Sequence, residues 1–380
     1  RNLATHPLTT RIRDFALELG FVDAGFAPAG PSPDAPRLLE WLEAGHAGEM
    51  GFMHERIDER CDAQVFEPTA KTVISLLAPY PDVPDAVADS ICRYALGDDY
   101  HLVLDEKLRA LAAFVHAEAG TTAMPRAAVD GAPVLERSIA VQAGIGWLGK
   151  SGMVISQTLG SYVLLSELFV DVEIASDRDP HPDRCGRCTR CIDVCPTKAI
   201  IAPYTIDARL CIAYLTIEHR GAIPRELRPL IGSHLFGCDL CQSICPWNGE
   251  DGPEPMPEFT PRREVVFTDA EAALAMTQSE FSKRFARSPV KRAKRAGLAR
   301  NAAIVLGNSG EREWVGALAR ALSEHDVALV RGHAAWALGR LGGLASELAL
   351  RVADAQETDA YVRDEIRAAQ GATDARSARR

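Results

Sequence analysis

Eight of the ten cysteines fall into two runs whose spacing leaves few alternatives: Cys185, Cys188, Cys191 and Cys195-Pro196, then Cys211, Cys238, Cys241 and Cys245-Pro246. The first run is the C-x2-C-x2-C-x3-C-P pattern of bacterial ferredoxins, in which three close thiolates hold one cubane and the fourth ligates the other. Crossed in that way, Cys185, Cys188, Cys191 and Cys245 are expected to hold one [4Fe-4S] cluster, and Cys195, Cys211, Cys238 and Cys241 the second. Four-cysteine zinc sites use two C-x2-C pairs and stop at four ligands, so a triplet followed by x3-Cys-Pro leaves a cysteine over. Disulfides belong to oxidising compartments and small secreted scaffolds, which a chain of 380 residues does not resemble. Such a chain moves single electrons. With every iron held by protein, a further redox centre has to meet the substrate.

The second run departs from a small ferredoxin in one respect: 26 residues, Ile212 to Gly237, separate its first two cysteines. An insert of that length does more than close a turn. Length suggests two or three domains, and 47% hydrophobic residues supply each with a core. No run approaches 18 apolar residues, and Arg11, Arg13, Asp14 and Glu18 interrupt the N-terminal segment, so a cytoplasmic chain with no membrane association is expected. The expected class is α+β. Residues 1–172 read as an α/β domain with apolar strands near Thr72–Leu77, Met153–Ser156 and Ser161–Leu165, and 173–255 as the double-cluster domain. Residues 256–289 follow as a hinge, opened by Pro253-Glu-Pro-Met-Pro257, and 290–380 as a helical repeat.

The repeat is legible: Ala303-Ile-Val-Leu-Gly307 returns as Ala335-Trp-Ala-Leu-Gly339 and Arg331 returns as Arg363, both 32 residues on. We read it as HEAT-like, a stack of helix pairs in which small residues let helices approach. Just before it, Lys283, Arg284, Arg287, Lys291, Arg292, Lys294, Arg295 and Arg300 form a positive stripe without an acidic residue, on a chain of net charge -10. Clustered Lys and Arg beside a repeat surface suit phosphate neutralisation, although a solvated helix face has the same composition.

The segment Gly144-Ile-Gly146-Trp-Leu-Gly149-Lys150-Ser151 satisfies two phosphate-binding patterns. Both need a strand before the glycines and a helix after them. Here Leu135–Gln142 reads as a helix and the glycines lead into a strand, so nucleotide binding is set aside, and close approach to a large flat ligand is left as their use. Asp130, before Gly131, has the ordinary character of a turn residue. Cys61 and Cys92 lie outside the runs and suit buried apolar positions.

Taken together, these features resemble the epoxyqueuosine reductases: Asp130-x5-Glu136-Arg137, the glycine segment, the double cluster with its insert, Gly237-Cys238-Asp-Leu-Cys241-Gln-x2-Cys245-Pro-Trp-Asn248, then Ser288-Pro-Val-Lys-Arg292 and Arg300-Asn-Ala-Ala-Ile304. The resemblance implies a base-off cobalamin in the N-terminal domain, fed by the two [4Fe-4S] clusters. It also implies reduction of epoxyqueuosine to queuosine at the wobble position of a tRNA anticodon, the last step in making that nucleoside. An external low-potential electron donor and a monomer are expected with it.

By the same resemblance Asp130 is the proton donor, with burial expected to raise its pKa, and Arg137 orients substrate or acid. Arg60, Cys92, Tyr100, His101, Lys150, Val154, Leu165 and Thr216 match positions lining the cobalamin pocket. Lys283, Arg284, Lys291, Arg292, Lys294, Arg295 and Arg300 match the tRNA-binding stripe. The alternative is a cobalamin-dependent reductive dehalogenase-like oxidoreductase acting on a small molecule, which would not need the stripe.

Overall fold

A computed structural model describes residues 7–81, 83–84, 90–249, 254–266 and 268–377, with side chains as far as 371. Pro253 of the proline-rich segment lies outside the described residues, and Pro257 opens a short 3-10 turn, Pro257–Phe259. The chain divides into two compact units: Arg1–Val83 with Gly97–Arg209 and Asp239–Pro261, and Pro84–Leu96 with Leu210–Cys238 and Arg262–Arg380. The units cut across the cysteine segment. Cys211, Cys238 and the insert between them belong to the second unit, and the other six cluster cysteines to the first.

The first unit is built on a four-stranded sheet in the order β1-β2-β6-β3, where β1 is Asp23–Pro28, β2 Thr72–Pro79, β3 Arg126–Ala128 and β6 Val163–Val170. Every pairing is antiparallel. That corrects the α/β expectation for this part of the chain, since an α/β domain requires parallel strands joined by crossover helices; α+β holds. Strand β2 is buried along its whole length, which its apolar run Thr72-Val-Ile-Ser-Leu-Leu-Ala-Pro79 requires of a central strand.

Helices α1 (Leu8–Glu18), α2 (Tyr100–Ala119) and α3 (Glu136–Gln142) pack around the sheet. Asp99 caps α2 by accepting from the His101 N–H, and Gly120 ends it in a left-handed conformation. On the face covered by α3, Val73, Ala128 and Phe169 pack with Ile139 and Ala143, and Leu77 and Val163 pack with Ala140. Strand β3 is short. It pairs only with Glu167, Leu168 and Phe169, so no described strand covers that edge of β6 over 163–166.

The glycine segment forms a β-hairpin, β4 (Trp147–Leu148) with β5 (Val154–Ile155). A Cβ on Gly146 would stand 2.7 Å from the Ile155 carbonyl oxygen and one on Gly149 2.5 Å from Ile155 Cδ1. The glycines let the hairpin close on itself. Their smallness is used within the chain. A second hairpin, β7 (Ile200–Ala202) with β8 (Thr205–Ile206), lies between the cysteine runs.

The second unit is dominated by helices α4 (Lys294–Ser309), α5 (Val315–Glu324), α6 (Ala328–Leu341), α7 (Leu344–Gln356) and α8 (Ala360–Ser377). A Cβ on Gly307 would lie 2.8 Å from Ala337 Cβ, and one on Gly339 would lie 2.7 Å from Ala369 Cβ. The same notch-and-methyl contact therefore joins α4 to α6 and α6 to α8, 32 residues apart in sequence. Buried Arg228 adds a two-pronged ion pair to Glu365 of α8, at 2.8 and 2.7 Å. Among the described residues, no helix is long and apolar enough to cross a membrane.

Candidate active site

Asp130 follows β3 by two residues and holds φ at +49°, a left-handed conformation that Asp tolerates better than most side chains. The bend turns its carboxylate toward the start of α2. There it accepts from the Tyr100 hydroxyl, and His101 Nε2 lies 3.4 Å from Asp130 Oδ2. The other imidazole nitrogen, Nδ1, lies 2.8 Å from Asp99 Oδ1. The rings of Tyr100 and His101 stack at 4.1 Å. Sequence neighbours assigned together to a cofactor pocket thus prove to be the partners of Asp130 itself.

These contacts set the charges. Desolvation works against a charge on His101, but hydrogen bonds to Asp130 and Asp99 outweigh it and push the imidazole up to about 9. Desolvation likewise pushes Asp130 up, yet His101 and Tyr100 overcome it and leave the carboxyl below the usual range. The side chain of Asp130 is 59% open to solvent, so it stands at the surface rather than in the core. The expectation of a raised Asp130 is therefore corrected: near neutral pH the proton sits on His101, and Asp130 is its anionic acceptor.

Glu136, part of the motif that begins at Asp130, is the first residue of α3, and the backbone of Asp130 acts to lower its carboxyl. Burial, then the nearby charge of Asp130, push it up to about 8. Its Oε1 is buried without a partner. Glu167, which no sequence motif singled out, is fully buried in β6 opposite both Ser75 and Ala128. Ser75 Oγ stands 3.5 Å from its Oε1, its Oε2 has no partner, and burial followed by the charge of Glu136 holds it well above the carboxylate range. A single Glu within Val163-Leu-Leu-Ser-Glu-Leu-Phe-Val170 was the available signal. Arg137 donates to the Gly152 carbonyl at 2.6 Å, and its charge lowers both Asp130 and Glu136.

The remaining residues expected to line the pocket divide. Leu165 is half-buried on the uncovered stretch of β6 and packs with buried Val154. Arg60 donates to the Phe52 and Glu55 carbonyls, and Lys150 to the carbonyls of Gly186 and Cys188 at 2.6 and 2.9 Å. Both cations tie down local loops, and Lys150 fastens the first cysteine run. In the second unit, the Cys92 thiol lies against Gly237, where a Cβ would be 2.2 Å from Sγ. Thr216 Oγ1 accepts from the Gly237 N–H at 2.9 Å and donates to the Ile212 carbonyl, so Thr216 and Cys92 shape the loop before Cys238.

Within the first unit, Cys245 stands near the first run: after burial, the charges of Cys185 and Cys188 are what raise its thiol, and the same two raise Cys191. Asn248 anchors this end of the second run, donating to the Gln242 carbonyl at 2.8 Å and to Ser161 Oγ at 3.0 Å. Trp247 packs edge-on against Trp147 at 4.8 Å. Among the described residues, no three His, Cys, Asp or Glu side chains are gathered to hold a single metal ion.

The positive stripe is thinner in space than in sequence. Arg300 is fully buried, donating to the carbonyls of Leu215, His219 and Gly221 and to Asn301 Oδ1. It is not available to a nucleic acid, and its expected role there is corrected. Arg292 pairs with Glu218, Arg295 with Asp326, and Arg284 donates to Thr268. Lys283, Lys291 and Lys294 are exposed, Lys291 also reaching the Ala286 carbonyl.

Comparison with known proteins places this arrangement. A family described as 4Fe-4S double cluster binding domain matches residues 184–248, and one described as Epoxyqueuosine reductase QueG, DUF1730 matches residues 60–131. The chain is 41% identical over 343 residues to an epoxyqueuosine reductase of Pseudomonas aeruginosa, covering 88% of this chain and 95% of that one. It is 37% identical over 347 residues to that of Escherichia coli, covering 89% and 90%. A crystal structure of epoxyqueuosine reductase with a tRNA-Tyr epoxyqueuosine-modified stem loop superposes with a TM-score of 0.90 at 30% identity, covering 97% of this chain and 99% of that one. A Bacillus subtilis epoxyqueuosine reductase, with its catalytic aspartate loop swung out of the active site, superposes with a TM-score of 0.86 at 30% identity, covering 96% and 98%. The chain belongs to the epoxyqueuosine reductase family.

Proposed function

We propose that this protein reduces epoxyqueuosine to queuosine in tRNA. The observation that carries the reading is the match, over nearly the whole of both chains, to a solved reductase holding an epoxyqueuosine-modified stem loop. We place the reaction at the anticodon wobble position, where an exposed Asp130 can meet a base presented by a loop.

Two [4Fe-4S] clusters, on the cysteine assignment given above, supply electrons one at a time, and cobalamin, when bound, supplies the reducing centre that meets the epoxide. The first unit has features that fit cobalamin: a backbone edge at 163–166 that no described strand pairs with, able to hydrogen-bond amide side chains, beside half-buried Leu165 and buried Val154. Tyr100, His101, Val154 and Leu165 would hold it. On the chain's side, Asp130 accepts the proton held by His101 and presents it to the departing oxygen, while Tyr100 fixes the carboxylate and Arg137 stabilises its anionic form. Support for this role includes the catalytic aspartate loop of the Bacillus subtilis relative.

For the tRNA we assign Lys283, Arg284, Lys291, Arg292, Lys294 and Arg295 as phosphate contacts, the last three beside a HEAT-like stack formed by α4–α8. The deciding experiment is mass spectrometry of epoxyqueuosine-containing tRNA incubated with reduced, cobalamin-loaded protein. A mass loss equal to one oxygen atom is too coarse a criterion alone, so co-migration with authentic queuosine is required. Unchanged epoxyqueuosine would overturn the reading.

A further inference from the structure

Converting an epoxide to the corresponding alkene removes one oxygen as water, which consumes two electrons and two protons. The Asp130–His101 pair accounts for one of those protons. The second needs a source, and the fold contains one that the function above leaves unused.

Strands β2 and β6 present Val73, Leu77, Val163 and Phe169 to α3 as an apolar surface. Ser75 and Glu167 interrupt that surface side by side, directly paired across the strands. A carboxylate in such a place is costly unless it is fully hydrogen-bonded. Glu167 is fully buried, has one weak contact to Ser75, and leaves Oε2 without a partner. Glu136 repeats the situation at the start of α3, with Oε1 buried and alone. The partnerless atoms belong to two carboxyls of which Glu136 raises Glu167 by its charge. A proton on one turns an orphaned acceptor into a donor for the next.

The chain leads outward from there. Ala128, opposite Glu167, ends β3; Asp130 follows two residues later, and its backbone and charge both act on Glu136. Glu167, Glu136 and Asp130 thus run from the sheet interior to the exposed Asp130 carboxylate, faced by Ser75, Arg137, Tyr100 and His101. We propose that Glu136 and Glu167 are a two-carboxyl proton store that refills Asp130 within each turnover. The proton leaves the Glu136 carboxyl O–H for the Asp130 carboxylate as the oxygen departs, Glu167 replaces it on Glu136, and solvent restores Glu167 after water is released. Both electrons come from the external reductant already required. That both groups stand well above the ordinary carboxylate range means the store is filled near neutral pH.

This proposal rests on the reductase reading, and two separate measurements keep their failures apart. Infrared spectroscopy of the protein without substrate should show protonated carboxylic-acid bands at neutral pH that disappear in Glu136→Gln and Glu167→Gln. Turnover of epoxyqueuosine-containing tRNA by the loaded enzyme should fall about tenfold or more in Glu136→Gln, with KM for tRNA unchanged, a larger solvent deuterium effect and a displaced alkaline limb of the kcat profile. If Glu167→Gln does not fold, Ser75→Ala shifts the Glu167 band in its place. Ionised carboxylates at neutral pH, or wild-type rate, isotope effect and pH profile in Glu136→Gln, would overturn the store. Inactivity of the wild-type enzyme on that tRNA would instead sink the reductase reading, while the infrared bands still decide whether the store is filled.

Discussion

His101 Nε2 and Asp130 Oδ2, 3.4 Å apart, form an imidazole–carboxylate couple whose second nitrogen is held by Asp99. Under the function proposed above, the couple keeps the proton on His101 and leaves its delivery to Asp130. Asp130→Asn keeps size and can still hydrogen-bond Tyr100, but cannot pass a proton. Queuosine formation should therefore drop roughly 100- to 10,000-fold, with iron content and cobalamin binding unchanged. Near wild-type turnover would reduce Asp130 to a turn residue.

The same couple makes stability depend on pH. His101 has a folded pKa raised to about 9, so its contribution is complete below the ordinary histidine value and is lost as pH rises through 9. Glu136, raised to about 8, acts in the same direction, because its buried neutral form becomes an unfavourable anion as pH rises. Thermal midpoints of the protein should fall between neutrality and pH 9, and Glu136→Gln should flatten the decline. A midpoint that climbs over this range would contradict both assignments.

Cluster crossing predicts damage at a distance in sequence. Cys245→Ala should cost the iron held with Cys185, Cys188 and Cys191, lowering reconstituted iron from about eight to about four atoms per chain. Retention of the full content would return Cys245 to the second run.

For nucleic acid, replacing Lys283, Lys291 and Lys294 together should weaken tRNA binding and reduce its salt dependence by about one slope unit per lost contact. Arg300→Ala should do something different. It leaves three carbonyls of the Leu215–Gly221 loop without a donor, so the variant should lose stability before it loses tRNA affinity. Equal salt slopes in the triple variant and wild type would remove the stripe from the interface.

The double-cluster segment, the 32-residue spacing of the helix contacts and the order of elements around the glycine segment were legible because spacing and periodicity report local geometry. The acid network was not. Glu167 becomes meaningful only when antiparallel pairing sets it beside Ser75 and opposite Ala128, 39 residues earlier. Arg300 misled for the converse reason: its charge suits a surface stripe, whereas the helix that carries it turns the guanidinium toward three loop carbonyls. A charge count cannot tell a solvated cation from one serving as a hydrogen-bond fork.

That fork has a consequence for how the protein can be dissected. Arg300 and Asn301 sit on the first helix of the stack and hold Leu215, Thr216, His219, Gly221 and Leu235, all between Cys211 and Cys238. The helical array is therefore not a detachable handle for RNA. Cutting the chain before Lys294 would leave Cys211 and Cys238 at the ends of an unsupported loop, and colour from bound iron would become a readout of whether a helix some sixty residues further along is folded.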